Sequence, residues 1–87
     1  MAKAIWKFTL SESEKQFSMP TGARILSADE QHGQVCIWAE VDPAMDPEDR
    51  RFSVYGTGHG LPDNPGRFIG TVKLASGAFI MHVYEQT

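Results

Sequence analysis

The segment Gln34-Val35-Cys36-Ile37-Trp38-Ala39-Glu40-Val41 alternates without a break, with Val35, Ile37, Ala39 and Val41 on one face and Cys36, Trp38 and Glu40 on the other. A repeat of two is the period of a β-strand and does not fit the 3.6-residue stripe of a helix. Apolar weight on both faces places this strand in the middle of a sheet, covered by a second layer or by another subunit.

The same period recurs along the chain. Residues 4–9 turn Ala4, Trp6 and Phe8 toward a core, and residues 51–55 set Phe52 and Val54 against Ser53 and Tyr55. Residues 67–74 form a further strand, and residues 78–85 another that is apolar on both faces, with Ile80, His82 and Tyr84 on one side. Shorter strands are expected at residues 16–19, stopped by Pro20, and from Ile25-Leu26. Pro20-Thr21-Gly22, His32-Gly33 and Ser76-Gly77 supply the turns. Residues 42–50 are the longest irregular stretch. Within them Asp46-Pro47-Glu48-Asp49 has the grammar of a helix start, an Asp cap followed by proline and acids, long enough for one turn. The pattern therefore predicts an all-β fold: a single small antiparallel meander over residues 1–87, sandwich or barrel-like, with at most one short helical turn.

Eighty-seven residues suit one domain with a small core, in which folding hides only about 60–65% of the surface the unfolded chain exposes. Self-association is expected for that reason and because a helix-free chain leaves sheet edges to cover. The net charge is −3, and Lys3, Lys7, Arg24, Arg50, Arg51, Arg67 and Lys73 are scattered. That argues against binding duplex nucleic acid but leaves enough cations for one or two phosphates of a small ligand. Cys36 is the only cysteine, and an internal disulfide is excluded. Met1 is followed by no leader-like segment, so the cytosol is the expected compartment. No apolar run approaches the roughly 20 residues of a membrane-spanning helix.

Chemistry, if the chain carries any, concentrates at Tyr55-Gly56-Thr57-Gly58-His59-Gly60. Three glycines let a backbone approach a ligand closely or form an anion-holding nest, and they equally make a sharp turn or bulge at a sheet rim. The spacing is neither a phosphate-binding P-loop nor a dinucleotide fingerprint. No metal is expected, because His59, His82, Asp63, Glu85 and Cys36 lack ligand spacing and Asp42, Asp46 and Asp49 match no calcium loop. No cofactor is implied. Cys36 lies mid-strand, where a thiol behaves as a small buried hydrophobe. His59 and His82 could serve as acid and base in a phosphodiesterase-like reaction, but neither stands in an H-x-[ST] pair, and the chain reads as a non-enzyme. Trp38, Tyr55 and Tyr84 can stack on a ring while Arg51, Arg67 or Lys73 reaches its phosphates, although such aromatics also build small cores and subunit interfaces.

Several short motifs occur in a recognisable order. They are Met19-Pro20-x-Gly22-Ala23-x-Ile25-Leu26, Gln31, Cys36-x-Trp38-Ala39-x-Val41-Asp42, Tyr55-Gly56-Thr57-Gly58-His59, Ile69-Gly70-Thr71 and His82-Val83-Tyr84-Glu85. In this the chain resembles a family of short phage- and prophage-encoded proteins known as a domain of unknown function. The resemblance spans nearly the whole chain and implies a β-type phage accessory protein with no catalytic residue to carry over. Small phage proteins of this kind often oppose host defence, some as oligomeric sponges for signalling nucleotides. The leading expectation is thus a non-enzymatic homo-oligomer that sequesters a small anionic, nucleotide-like ligand. Its site would be Tyr55, Gly56, Thr57, Gly58 and His59, walled by Trp38, Arg51, Arg67, His82 and Tyr84. The alternative is a structural or protein-interaction module that recruits a host or phage protein through a sheet edge or the acidic loop.

Overall fold

Alternation becomes strand wherever it was read. The computed structural model describes residues 2–87. It contains β1 (Ala4–Leu10), β2 (Glu14–Pro20), β3 (Arg24–Gln31), β4 (Gln34–Val41), β5 (Pro47–Gly56), β6 (Arg67–Leu74) and β7 (Phe79–Glu85), with one 3-10 turn at Ala75–Gly77. All pairings are antiparallel and form two sheets, β1-β4-β3 and β2-β5-β7-β6. The fold is a small all-β sandwich. Among the described residues only β3–β4 and β6–β7 are hairpins; β1 and β2 instead feed opposite sheets, and β4 crosses to the second sheet to continue as β5.

The core lies between the sheets. Val35, Ile37, Ala39 and Val41 of β4 face Phe52, Val72 and Val83 of the other sheet, with Leu10, Met19 and Ala23 completing the buried cluster. On the opposite face of β4, Cys36 is buried among its cross-strand neighbours Thr9 and Asp29, its Sγ 3.6 Å from Thr9 Oγ1. Edge strands β3 and β6 draw together along one side, where a Cβ on Gly70 would sit 3.7 Å from that of Ala28. Along the other side the rings of Trp6, Phe8, Phe17 and Phe52 form a tilted ladder with centroids 5.2–6.5 Å apart.

Three local expectations are corrected. The helical turn falls at Ala75–Gly77 and not at Asp46. The Asp46 carbonyl accepts from both the amide and the hydroxyl of Thr21, at 2.8 and 2.7 Å, which holds the chain extended so that β5 begins at Pro47. Strand β2 runs through Pro20 instead of stopping before it, because Pro20 is paired with Pro47 at the ladder's end, where neither needs a donor. Trp6 is 39% exposed, since its strand is the sheet's edge and its ring ends the ladder instead of entering the core.

An ionic clasp closes one end. Arg50 donates to both carboxylate oxygens of Glu85, at 2.6 and 2.8 Å, and its third nitrogen donates to the Ala23 carbonyl at 2.5 Å. The Glu85 hydrogen bonds hold the guanidinium's pKa above its ordinary value, and the clasp ties β5 and β7 to the β2–β3 turn.

Candidate functional site

The outer face of the four-stranded sheet is where the chemistry-bearing side chains gather. Val54 and Val83 point into the core, so their neighbours Tyr55, His82 and Tyr84 point outward. Three cross-strand rows result: Ser53, Tyr84 and Phe68; then Tyr55, His82 and Thr71; then the Thr57 end of β5, Ile80 and Lys73.

Tyr84 is the hinge of the aromatic group. Its ring stands edge-to-face against Tyr55 at 5.7 Å and against Phe68 at 5.4 Å, a favourable quadrupolar arrangement that leaves ring faces and edges open. Phe68 is 52% exposed. Beside this group, His82 is held at both ring nitrogens, Nε2 by Thr57 Oγ1 at 2.8 Å and Nδ1 by Thr71 Oγ1 at 3.1 Å. Thr57 Oγ1 also donates to the Ile80 carbonyl at 3.3 Å, which assigns the proton between Thr57 and His82 to Nε2 and makes Nδ1 the acceptor for Thr71. The imidazole is therefore fixed in orientation with hydroxyls on either side. Lys73, one row away, has no ion pair among the described residues. Arg51, at the opposite end of the face, donates to Gln16 at 3.2 Å and lies 3.8 Å from Glu14.

The glycine-rich stretch is a turn that supplies one member of this site. Gly56 O accepts from His59 N at 3.1 Å, and Gly58 takes φ 86°, the positive value that the third position of a type II turn demands. A Cβ on Gly56 would lie 2.8 Å from His59 Nδ1, so the His59 ring occupies the space a side chain there would need. That space is on the Val54 and Met81 side of the sheet, and the ring borders a cleft of about 190 Å³ at the strand ends, lined by Gly56, Thr57, His59, Phe79, Ile80 and Met81. His82 is on the other side. The two histidines thus face away from each other, and the two-histidine acid–base arrangement is not assembled.

Of the residues singled out from sequence, Tyr55, Thr57, His82, Tyr84 and Arg51 share the outer face. Gly56 and Gly58 shape the turn that brings Thr57 there, and His59 lies behind it. Trp38 belongs to the other sheet and faces outward from it, so the full thickness of the sandwich separates it from Tyr55. Arg67 lies opposite Glu85, in a cleft with Asp63, Asn64 and Thr87, and points to the other side of β6 from Phe68. Phe68 and Thr71 were not anticipated at the site. Among the described residues no group of three or more His, Cys, Asp or Glu is arranged to hold a metal ion, and no helix is long and apolar enough to cross a membrane.

The family described as "Domain of unknown function (DUF7352)" matches residues 1–87. The chain belongs to DUF7352. No curated protein and no solved structure matches the chain. In this DUF7352 member the aromatic group and the clamped His82 lie together on the outer face of the four-stranded sheet.

Proposed function

We propose that the protein binds a small, ring-bearing anionic ligand of nucleotide type on the outer face of the four-stranded sheet and acts by holding it, not by transforming it. The observation that carries this reading is the aromatic group Tyr55–Tyr84–Phe68 set beside His82, whose nitrogens are clamped by Thr57 and Thr71, on a face that contributes none of these side chains to the core. Stacking of a base on such rings is worth about 1–3 kcal/mol. The threonine hydroxyls and His82 offer hydrogen bonds to sugar or phosphate oxygens, and Lys73 offers a charge one row away. The resemblance to short phage- and prophage-encoded proteins supports a biological form for this binding: sequestration of a host signalling nucleotide in the host cytoplasm as an anti-defence sponge.

Differential scanning fluorimetry against mono-, di- and cyclic nucleotides, with the matching nucleosides alongside, tests the reading. A ligand at about 100 times its dissociation constant adds about 2.7 kcal/mol, which at this chain length raises Tm by roughly 10 °C or more. The expected result is a shift with a nucleotide, smaller with its nucleoside and lost in Tyr84→Ala. No shift with any member contradicts the reading.

A second reading is favoured by one specific observation. Edge strands β3 and β6 carry register-shifting bulges, whereas β1 and β2 run without one, and an unbulged edge can accept an added strand from a protein partner. Under this reading a protein is recovered in pull-downs from infected cells and His59→Ala leaves its capture intact.

A further inference from the structure

The two ends of the sandwich differ in how the core is closed. At the end of the Arg50–Glu85 clasp the core side chains Met19, Val41 and Phe52 are at most 1% exposed. At the other end the chain turns through Ser11-Glu12-Ser13, His32-Gly33 and Ser76-Gly77, none of which carries a large apolar side chain. The last core layer, Leu10 and Val35 from the three-stranded sheet with Val54, Leu74 and Met81 from the four-stranded sheet, is therefore left uncapped. These five side chains line a cleft of about 350 Å³ between the sheets. Phe79, two residues before Met81 and on the same side of β7, does not line this cleft and is 60% exposed. Close-packed interiors leave few gaps of such size unfilled. The mouth is fixed in place, because Val54 donates its amide to the Ser13 carbonyl at 2.8 Å.

The lining states what the cleft can hold. Five aliphatic or thioether side chains offer no partner to a buried charge or hydroxyl, so the part of a ligand that enters between the sheets is apolar. At about 30 Å³ per water-sized group, the volume takes roughly ten non-hydrogen atoms. The mouth is polar: Ser11, Ser13 and Gln34 bring hydroxyls and an amide, and Glu12, 3.5 Å from Lys15, is the only charged residue that lines it. An anionic head would meet the Glu12 carboxylate with no base lining the cleft, which selects an uncharged one. We infer that this end of the sandwich binds an uncharged amphiphile, its aliphatic body inserted between the sheets and its hydroxyl, ester or amide head held at Ser11, Ser13 and Gln34. Met81, unbranched and flexible, lets the floor adapt to the inserted chain. Val54 and Met81 alternate with Tyr55 and His82 along β5 and β7, so the cleft lies on the other side of the four-stranded sheet from the proposed nucleotide site and does not depend on it.

Methyl-resolved NMR titration of the full chain with 1-octanol, and with octanoate as its anionic counterpart, tests the inference. 1-Octanol is expected to shift the methyl signals of Leu10, Val35, Val54, Leu74 and Met81 saturably, with half-saturation at about 1 mM. Octanoate is expected to bind about tenfold more weakly, and the exposed substitution Glu12→Lys to reverse that preference. Val54→Phe narrows the cleft and is expected to weaken 1-octanol binding by about fivefold or more; Leu74→Phe serves in its place if that variant fails to fold. The methyl signals of Ile5 and Leu61, exposed outside the cleft, are expected to stay still. No shift with 1-octanol, shifts that do not saturate or are as large at Ile5 and Leu61, or binding unchanged in both narrowed variants overturns the site. Octanoate binding the wild-type chain as well as 1-octanol does, or a preference unmoved by Glu12→Lys, overturns the uncharged head.

Discussion

A Cβ on Gly66 would lie 2.1 Å from the Glu85 carbonyl oxygen, and the residue's φ of 95° is one that side chains rarely adopt. Gly60, in the motif that stands out in the sequence, has no atom within 4 Å of that position and an ordinary φ. Gly66→Ala is therefore expected to cost about 3 kcal/mol or more in urea unfolding, and Gly60→Ala to stay within about 0.5 kcal/mol. Near-equal effects would show that the chain around Gly66 relaxes freely. The contrast also marks what single residues disclose in sequence. The cluster Gly56-Thr57-Gly58-His59 announced itself by composition, and its position at a strand end with Tyr55 outward was readable from alternation alone. Gly66 was hidden in a proline-rich loop because its requirement comes from the backbone of β7's end, nineteen positions away in the chain and invisible to any local pattern.

Among the elements, hairpins are the most legible, because a short turn fixes register by counting. His32-Gly33 joins Gln31 to Gln34 directly, and both turn residues have positive φ, at 54° and 78°. That is the geometry in which Asn-Gly excels, so His32→Asn is expected to raise stability by roughly 0.5 kcal/mol; a loss in thermal unfolding would contradict the turn assignment. Counting back from Ser76-Gly77 likewise puts Thr71 opposite His82, and the pairing was there to be found. The same count puts Ile69 opposite Tyr84. The register shift between Phe68 and Gly70 moves Phe68 there instead, so the third ring of the site could not be counted from sequence. The acidic stretch before β5 misled for a different reason. Its cap-like grammar is real, but two hydrogen bonds from Thr21, distant in the chain, outweigh one helical turn. The clasp that locks β5 to β7 is equally non-local. Glu85→Ala leaves the half-buried Arg50 with only the Ala23 carbonyl and is expected to cost about 2–4 kcal/mol in chemical denaturation, Glu85→Gln less.

For the molecule as a whole, the all-β content follows from the spacing of alternating segments, whereas the choice of a sandwich over a barrel and the order β2-β5-β7-β6 do not, since nothing local says which strands cross between sheets. That order decides which side chains make up the proposed site. It brings Tyr55 of β5 beside His82 and Tyr84 of β7 and Thr71 of β6 on one surface, and sends Trp38 to the other. The opposite surface also carries the clearest pH dependence. Hydrogen bonds from Arg24 and then Lys3 hold the Glu40 carboxyl below its ordinary pKa. A carboxyl depressed in the folded state contributes stability above its unfolded pKa, and that contribution is lost as pH falls through the folded value. Glu40→Gln is expected to flatten the acid limb of the stability curve, and an unchanged limb would show that the pair is screened away.

Residue-resolved NMR titration with whichever nucleotide shifts Tm most tests directly the proposal that the outer face of the four-stranded sheet binds a nucleotide-type ligand. The predicted result is a saturable set of amide and aromatic shift changes centred on Tyr55, Thr57, Phe68, Thr71, His82 and Tyr84, with Trp38 unmoved. Changes centred on Trp38, or on the cleft behind His59, would contradict it.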